Sequence, residues 1–97
     1  MTAYVISDVQ ILDETLAGQY RPLAAASIEA YGGRYIVRAG ALEVIEGKRD
    51  AARRLVIVEF PSMDQARKWY ASPEYAKALE VRRAGALERT LLFVEGV

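Results

Sequence analysis

Residues 55–60 read LVIVEF, and this short stretch decides the fold. Successive side chains of a β-strand point to opposite faces of its sheet, so odd-numbered and even-numbered positions occupy different faces. Both sets are apolar here, apart from Glu59. A strand of this kind is covered on both faces.

Three further segments are predicted as strands because they are rich in Val, Ile, Leu, Phe and Tyr. The last of them also has apolar residues at both odd-numbered positions, Leu91 and Phe93, and even-numbered positions, Leu92 and Val94. The segments are Ala3–Ile11, Arg34–Ala39 with a continuation after Gly40 over Leu42–Glu46, and Leu87–Glu95.

A first helical stretch separates the first two strands. Asp13 is a good N-cap, and Gly32-Gly33 ends the helix because glycine adopts the left-handed conformation of a C-terminal cap. Pro22 removes one backbone donor, so the pattern predicts a kink or a restart near Arg21.

A second helical stretch follows the LVIVEF strand. Ser62 and Gln65 have the spacing of a capping box, in which each side chain bonds the other residue's backbone N–H. A restart is predicted at Ser72-Pro73, since Ser72 is a cap and proline favours the first helical position. Gly85 then ends the helix.

The resulting order is β-α-β-β-α-β, which predicts one α+β domain of ferredoxin-like type over residues 1–97, a four-stranded antiparallel sheet with both helices on one face. The strands are apolar on both faces, yet the helices cover only one of them. Hydrophobic residues make up 53 % of the chain, above the roughly 45–50 % usual for globular domains. We therefore expect a homodimer that is formed through the open face of the sheet.

Composition excludes several classes of function. Thirteen basic residues balance 13 acidic ones, so nothing favours binding to nucleic acid or to an anionic membrane. No apolar run approaches the roughly 18 residues of a membrane span. The chain has no His and no Cys, which excludes thiol nucleophiles, Ser-His-Asp triads and ordinary zinc, copper or iron–sulfur sites. We expect no metal, no cofactor and a cytoplasmic location.

Four runs of the sequence resemble one bacterial family, the one known as "domain of unknown function 1330", in the dimeric α/β-barrel superfamily. The resemblance extends over essentially the whole chain and implies a ferredoxin-like protomer whose sheet packs against that of its partner. Members of the family often have Arg-Gly-Gly where this chain has Arg38-Ala39-Gly40. The four runs are YGGRYIVR at 31–38, VIVEFPS at 56–62, WYASPEY at 69–75 and FVEG at 93–96.

Ionisable residues within the apolar strands are the first candidates for a site. Arg38 and Glu59, if both point into the space beside the sheet, would form a partly desolvated pair in a cleft. Asp8 is a further candidate of the same kind. The alternative is that these residues lie at the rim or form a structural ion pair.

Aromatic residues with polar tips are the second set of candidates. Trp69, Tyr70 and Tyr75 suit a pocket for a flat or apolar molecule, and the same spacing also suits plain core packing. Arg82 lies one helical step from Tyr75 and would reach a carboxylate of a ligand or of the protein.

Two hypotheses of function follow, and a purely structural module is a third. The first is a homodimeric small-molecule-binding protein whose pocket lies between sheet and helices. The second is a cofactor-independent enzyme acting on a small organic acid or aromatic compound, for which the superfamily resemblance implies isomerase- or monooxygenase-like chemistry. In that case Glu59 or Asp8 is the general base, Arg38 holds an anion and Tyr75 donates a proton.

Overall fold

Four strands form one antiparallel sheet in the computed structural model, which describes all 97 residues. The strands are β1 Ala3–Ile11, β2 Arg34–Arg38, β3 Arg54–Phe60 and β4 Leu87–Glu95, in the spatial order β2-β3-β1-β4. The helices are α1 Glu14–Ala30, α2 Met63–Tyr70 and α3 Pro73–Val81, and a π-helical turn over Arg82–Ala86 leads into β4. The predicted ferredoxin-like βαββαβ fold is confirmed, with its second helical stretch in two pieces. None of the helices has the length and apolar character that a membrane span requires.

The predicted helix starts are confirmed atom by atom. Asp13 Oδ1 accepts a hydrogen bond from the backbone N–H of Leu16 at 3.0 Å. Ser62 Oγ accepts one from Gln65 at 3.1 Å, and Ser72 Oγ accepts one from the Tyr75 N–H at 3.0 Å. Each cap satisfies a donor that the first helical turn leaves free.

Two details of the helices differ from the sequence prediction. Helix α1 runs from Glu14 to Ala30 without a break at Pro22, so the predicted restart near Arg21 is wrong; packing of the helix outweighs one lost hydrogen bond. The side-chain amide of Gln65 donates to the carbonyl oxygen of Tyr31 at 2.9 Å. It therefore ties α2 to the end of α1 instead of completing a capping box.

The predicted continuation of β2 over Leu42–Glu46 is also wrong. Arg38 pairs with Val56, and the Ala39 N–H makes a last bond to the Leu55 carbonyl at 2.9 Å. Strand β3 begins only at Arg54, so residues 42–46 have no neighbouring strand to pair with. The chain leaves the sheet at Ala39, whose φ of 55° is in the left-handed region.

Replacing Ala39 by glycine is expected to raise the free energy of unfolding. A left-handed conformation costs an L-residue about 1–2 kcal/mol, and glycine removes this cost. The greater freedom of glycine in the unfolded chain offsets about 0.4–1 kcal/mol of the stability gained in this way. We expect a net increase of about 1 kcal/mol, which would raise the melting temperature by about 4–8 °C. The matched control is Ala51→Gly, at an exposed position without positive φ. If Ala39→Gly lowers the melting temperature as the control does, the strain assigned to Ala39 is absent.

The helices cover one face of the sheet, called here the inner face. The largest buried side chains between the two layers are Trp69, Tyr75 and Phe60. Helix α2 packs directly on strands β1, β3 and β4. Helix α1, in contrast, packs mainly on α3 and on the Arg82–Ala86 turn, so it stands away from the sheet.

The opposite, outer face of the sheet has no helix on it and is apolar at its centre. The register places Ile57 of β3 and Leu92 of β4 on either side of Ile6 of β1, and Val37 of β2 pairs with Ile57. These four side chains form a row across all four strands. The molecule is a slab of 36 × 34 × 17 Å. The predicted apolar character of the second face is confirmed at its centre, whereas charged residues lie around the row.

Candidate functional site

A cavity of about 260 Å³ lies between the inner face of the sheet and α1. It exists because α1 stands away from the sheet and presents small side chains there, Ala17 and Ala24. They face Val5, Ser7 and Val9 of β1, which are also short. The walls are mostly apolar, so the cavity suits the body of a small organic molecule.

Three polar side chains form a cluster beside this cavity. The hydroxyl oxygens of Tyr20 and Tyr75 are 2.8 Å apart. Arg89, on β4, donates from Nη1 to the Tyr20 hydroxyl at 2.9 Å and from Nη2 to the Tyr75 hydroxyl. Tyr20 and Arg89 line the cavity, whereas Tyr75 is fully buried behind them.

Tyr20 is the neutral donor of the cluster that faces the cavity. Burial, followed by the neighbouring Tyr75, raises the pKa of the Tyr20 phenol far above its ordinary value. Tyr35, on another wall of the cavity, also has a raised pKa, first because of its burial. The cavity therefore contains no tyrosinate at neutral pH.

Two more arginines stand at the solvent side of the cavity. Arg38 of β2 and Arg54 of β3 are both exposed to solvent and also line the cavity. The Arg38 guanidinium lies over the ring of Tyr35, 4.3 Å from its centroid. Neither arginine forms an ion pair, so both are free to attract an anion.

Comparison with protein families gives one decisive match. The family model described as "Domain of unknown function (DUF1330)" matches residues 2–97. The chain belongs to the DUF1330 family. The resemblance seen in the four sequence runs is thereby confirmed, and it extends over the whole fold.

Solved structures similar to this DUF1330 chain share its fold. A protein of unknown function from Rhodopseudomonas palustris superposes with a TM-score of 0.79 at 16% identity, over 99% of this chain and 82% of the other. SnoaB, a cofactor-independent oxygenase from Streptomyces nogalater, gives 0.71 at 11% identity, over 99% and 93%. A dimeric protein of unknown function and ferredoxin-like fold from Bacteroides fragilis gives 0.59 at 13% identity, over 98% and 96%. A search of curated protein sequences found no match.

The structure brings some of the predicted site residues of this DUF1330 chain to the cavity. Arg38 and Trp69 line it, and Tyr75 holds the polar cluster from behind. Glu59 does not meet Arg38, because the two lie on opposite faces of the sheet. It is on the outer face, where its carboxylate accepts from Arg34 Nε at 2.9 Å.

Asp8 is likewise on the outer face, away from the cavity. Its Oδ1 is 2.7 Å from Arg49 Nη2 and 3.2 Å from Arg53 Nε. Arg53 also bonds Glu88 at 2.8 Å. These pairs attach the β2–β3 connection to the sheet, which corresponds to the structural alternative considered for Asp8.

Tyr70 and Arg82 do not line the cavity. The Tyr70 side chain is 37% exposed, and its ring packs against those of Tyr75 and Phe93. Arg82 forms no ion pair, and its Nε is buried without a hydrogen-bond partner. Nowhere in the chain do three carboxylates converge as metal ligands would.

Sequence reasoning missed Arg54 and Arg89, although the parity of their strands contained the signal. Arg89 shares its parity with Leu87 and Leu91, and all three line the cavity. Arg54 shares its parity with the inner-facing Val56 and Val58. A charged residue at a strand position that faces the helices is partly removed from water and needs a partner. Arg89 and Arg54 are at such positions, and they form the polar part of the site.

Proposed function

We propose that this DUF1330 chain is a homodimeric binding protein that holds one small, largely apolar organic molecule in the cavity of each protomer. The observation that carries the proposal is the cavity itself, apolar along its length and polar at the Tyr20–Tyr75–Arg89 cluster. An apolar pocket with a few convergent polar groups is the usual form of a small-molecule site. The cytoplasmic location remains a prediction that agrees with the absence of cysteine.

Self-association through the outer face is part of the proposal. The row Val37–Ile57–Ile6–Leu92 is apolar, and Leu92 is 51% exposed in a single chain. A second copy of the chain supplies a matching surface by symmetry. The similarity to the ferredoxin-like protein from Bacteroides fragilis that is described as dimeric supports this part.

A cofactor-independent enzyme is the second candidate. It is favoured by the similarity to SnoaB and by hydroxyl and guanidinium donors beside the cavity, which would polarise an oxygen of a bound substrate. Glu59 and Asp8 lie on the other face, so acid–base roles would pass to Tyr20 and Tyr75. Tyr75→Phe separates the two functions, because an enzyme would lose turnover by a much larger factor than it loses affinity for its ligand.

We expect Ala24→Leu to weaken ligand binding strongly without destabilising the fold. Ala24 is 3% exposed on the inner side of α1 and lines the cavity. A larger side chain there fills an existing space instead of displacing packed neighbours. Its effect is measured by titrating the labelled protein with phenol and indole, two neutral aromatic probes, and following the backbone amide signals by NMR.

In the wild type, the shifted amide signals should belong to residues lining the cavity, and Ala24→Leu should weaken binding by about tenfold or more. Ala26→Leu is the matched control, since Ala26 is exposed on the same helix. Binding that survives Ala24→Leu, or shifts that map to the outer face, would place the ligand elsewhere and contradict the proposal.

A further inference from the structure

We infer that the ligand of the cavity is an organic anion and that its anionic oxygen binds to Arg89 together with a hydroxyl of the tyrosine pair. This inference rests on the proposed binding function and adds the charge and the orientation of the ligand. The apolar body of the ligand then extends from Arg89 along β1 and α1. A small aromatic or alicyclic carboxylate has this combination of groups.

Arg89 is a half-buried charge without an acidic partner. None of the ion pairs in the chain includes it. The neighbouring Glu88 points to the other face of the sheet, where it binds Arg53. Charges removed from water are normally paired, so the partner of Arg89 has to come from the cavity that it lines.

The hydrogen bonds of the cluster leave donors unused. Of the five N–H groups of a guanidinium, Arg89 gives one to Tyr20 and one to Tyr75. The two hydroxyl groups share a single hydrogen bond, which uses one of their two hydrogens. The other hydroxyl hydrogen has no acceptor within the chain. A carboxylate offers only acceptors and is able to take both kinds of donor.

All but one of the remaining charged residues that line the cavity are arginines. The register places Arg54 of β3 and Arg89 of β4 on either side of Val9, and Arg38 lies diagonally across from Arg54 on β2. Glu14 is the one acidic residue in the wall, and it faces Arg21 at 3.5 Å. The cavity thus has a net positive charge, which attracts an anion before it binds.

Benzoate and benzamide make a matched pair of probes, because they are nearly the same shape and differ in charge. We expect the wild-type protein to bind benzoate at least about tenfold more tightly than benzamide, as a charge-assisted contact predicts. Arg89→Gln keeps a side chain that donates hydrogen bonds but removes the charge. Arg89→Gln should reduce the affinity for benzoate to that for benzamide. The affinity for benzamide itself should change by less than about threefold. Isothermal titration calorimetry and NMR titration measure both affinities.

Two further variants keep the inference testable if Arg89→Gln does not fold. Arg54→Met should weaken benzoate binding several-fold and leave benzamide unchanged, and Tyr75→Phe, which removes one hydroxyl, should do the same. Arg67→Met is the control, since Arg67 is on α2, is exposed and faces Asp64. It should change neither affinity.

The results distinguish a failure of the inference about the ligand's charge from a failure of the proposed binding function. If benzamide and benzoate bind the wild-type cavity equally well, the ligand is not selected as an anion; the inference is then wrong while the binding function stands. If neither these probes nor phenol and indole bind in the cavity, both proposals are wrong. A preference for benzoate that Arg89→Gln, Arg54→Met and Tyr75→Phe all leave intact would also overturn the inference.

Discussion

Trp69→Ala is expected to remove about 3–5 kcal/mol from the free energy of unfolding, the cost of deleting a large buried aromatic side chain. Trp69 is 2% exposed, and its ring centroid lies 4.3 Å from that of Tyr75 and 5.4 Å from that of Phe60. Its indole N–H donates to Ser27 Oγ at 3.0 Å. Since small domains are stable by only about 5–15 kcal/mol, the variant should be partly or wholly unfolded at 37 °C.

The site depends on Trp69 through the same contacts. Trp69 lines the cavity, and its ring packs against Tyr75, which is hydrogen-bonded to Tyr20 and Arg89. Trp69→Phe retains much of the packing but loses the bond to Ser27, so we expect a loss of about 1–3 kcal/mol. Both variants are measured by urea unfolding followed by circular dichroism.

The neighbouring Tyr70 provides the control for this prediction. Tyr70 is on the same helix and also contacts aromatic rings, but it is 37% exposed. We expect Tyr70→Ala to cost about 1 kcal/mol. If Trp69→Ala proves no more destabilising than Tyr70→Ala, the tryptophan is not the centre of the core.

Most of the fold was predictable because local signals agree with the global arrangement. Asp13, Ser62 and Ser72 fix three helix starts through bonds within one turn, which sequence spacing reveals directly. The segment Leu42–Glu46 was mispredicted because strand character is not sufficient for a strand. A strand also needs a neighbour to pair with, and β3 begins too late to provide one.

The site was only partly predictable, for a related reason. Parity alone places Glu59 on the face opposite Val58. When both faces are apolar, however, the alternation of odd and even positions does not reveal which face the helices cover. That choice depends on contacts between distant segments, as does the meeting of Tyr20 with Tyr75 and Arg89. The pairing of Asp8 with Arg49 and Arg53 is equally long-range, so a candidate base proved to be part of an ion-pair network.

Leu92→Lys is expected to convert the proposed dimer into a monomer. Leu92 belongs to the apolar row at the centre of the outer face and pairs in register with Ile6. In a symmetric interface the substitution appears twice, so two ammonium groups would lose water without gaining partners. We expect the dissociation constant to rise by at least about a hundredfold. Analytical ultracentrifugation should then report the chain mass of 10.8 kDa in place of twice that mass.

The single chain tolerates the same substitution, which keeps the test specific to association. Leu92 is already 51% exposed there, so a lysine at this position projects into water and the protomer stays folded by circular dichroism. Leu12→Lys is the matched control, because Leu12 is 58% exposed and follows the end of β1, outside the apolar row. It makes the same change of charge and should remain dimeric. A wild-type protein that sediments as a single chain, or a Leu92→Lys protein that keeps the dimer mass, would show that the outer face is not where two copies meet.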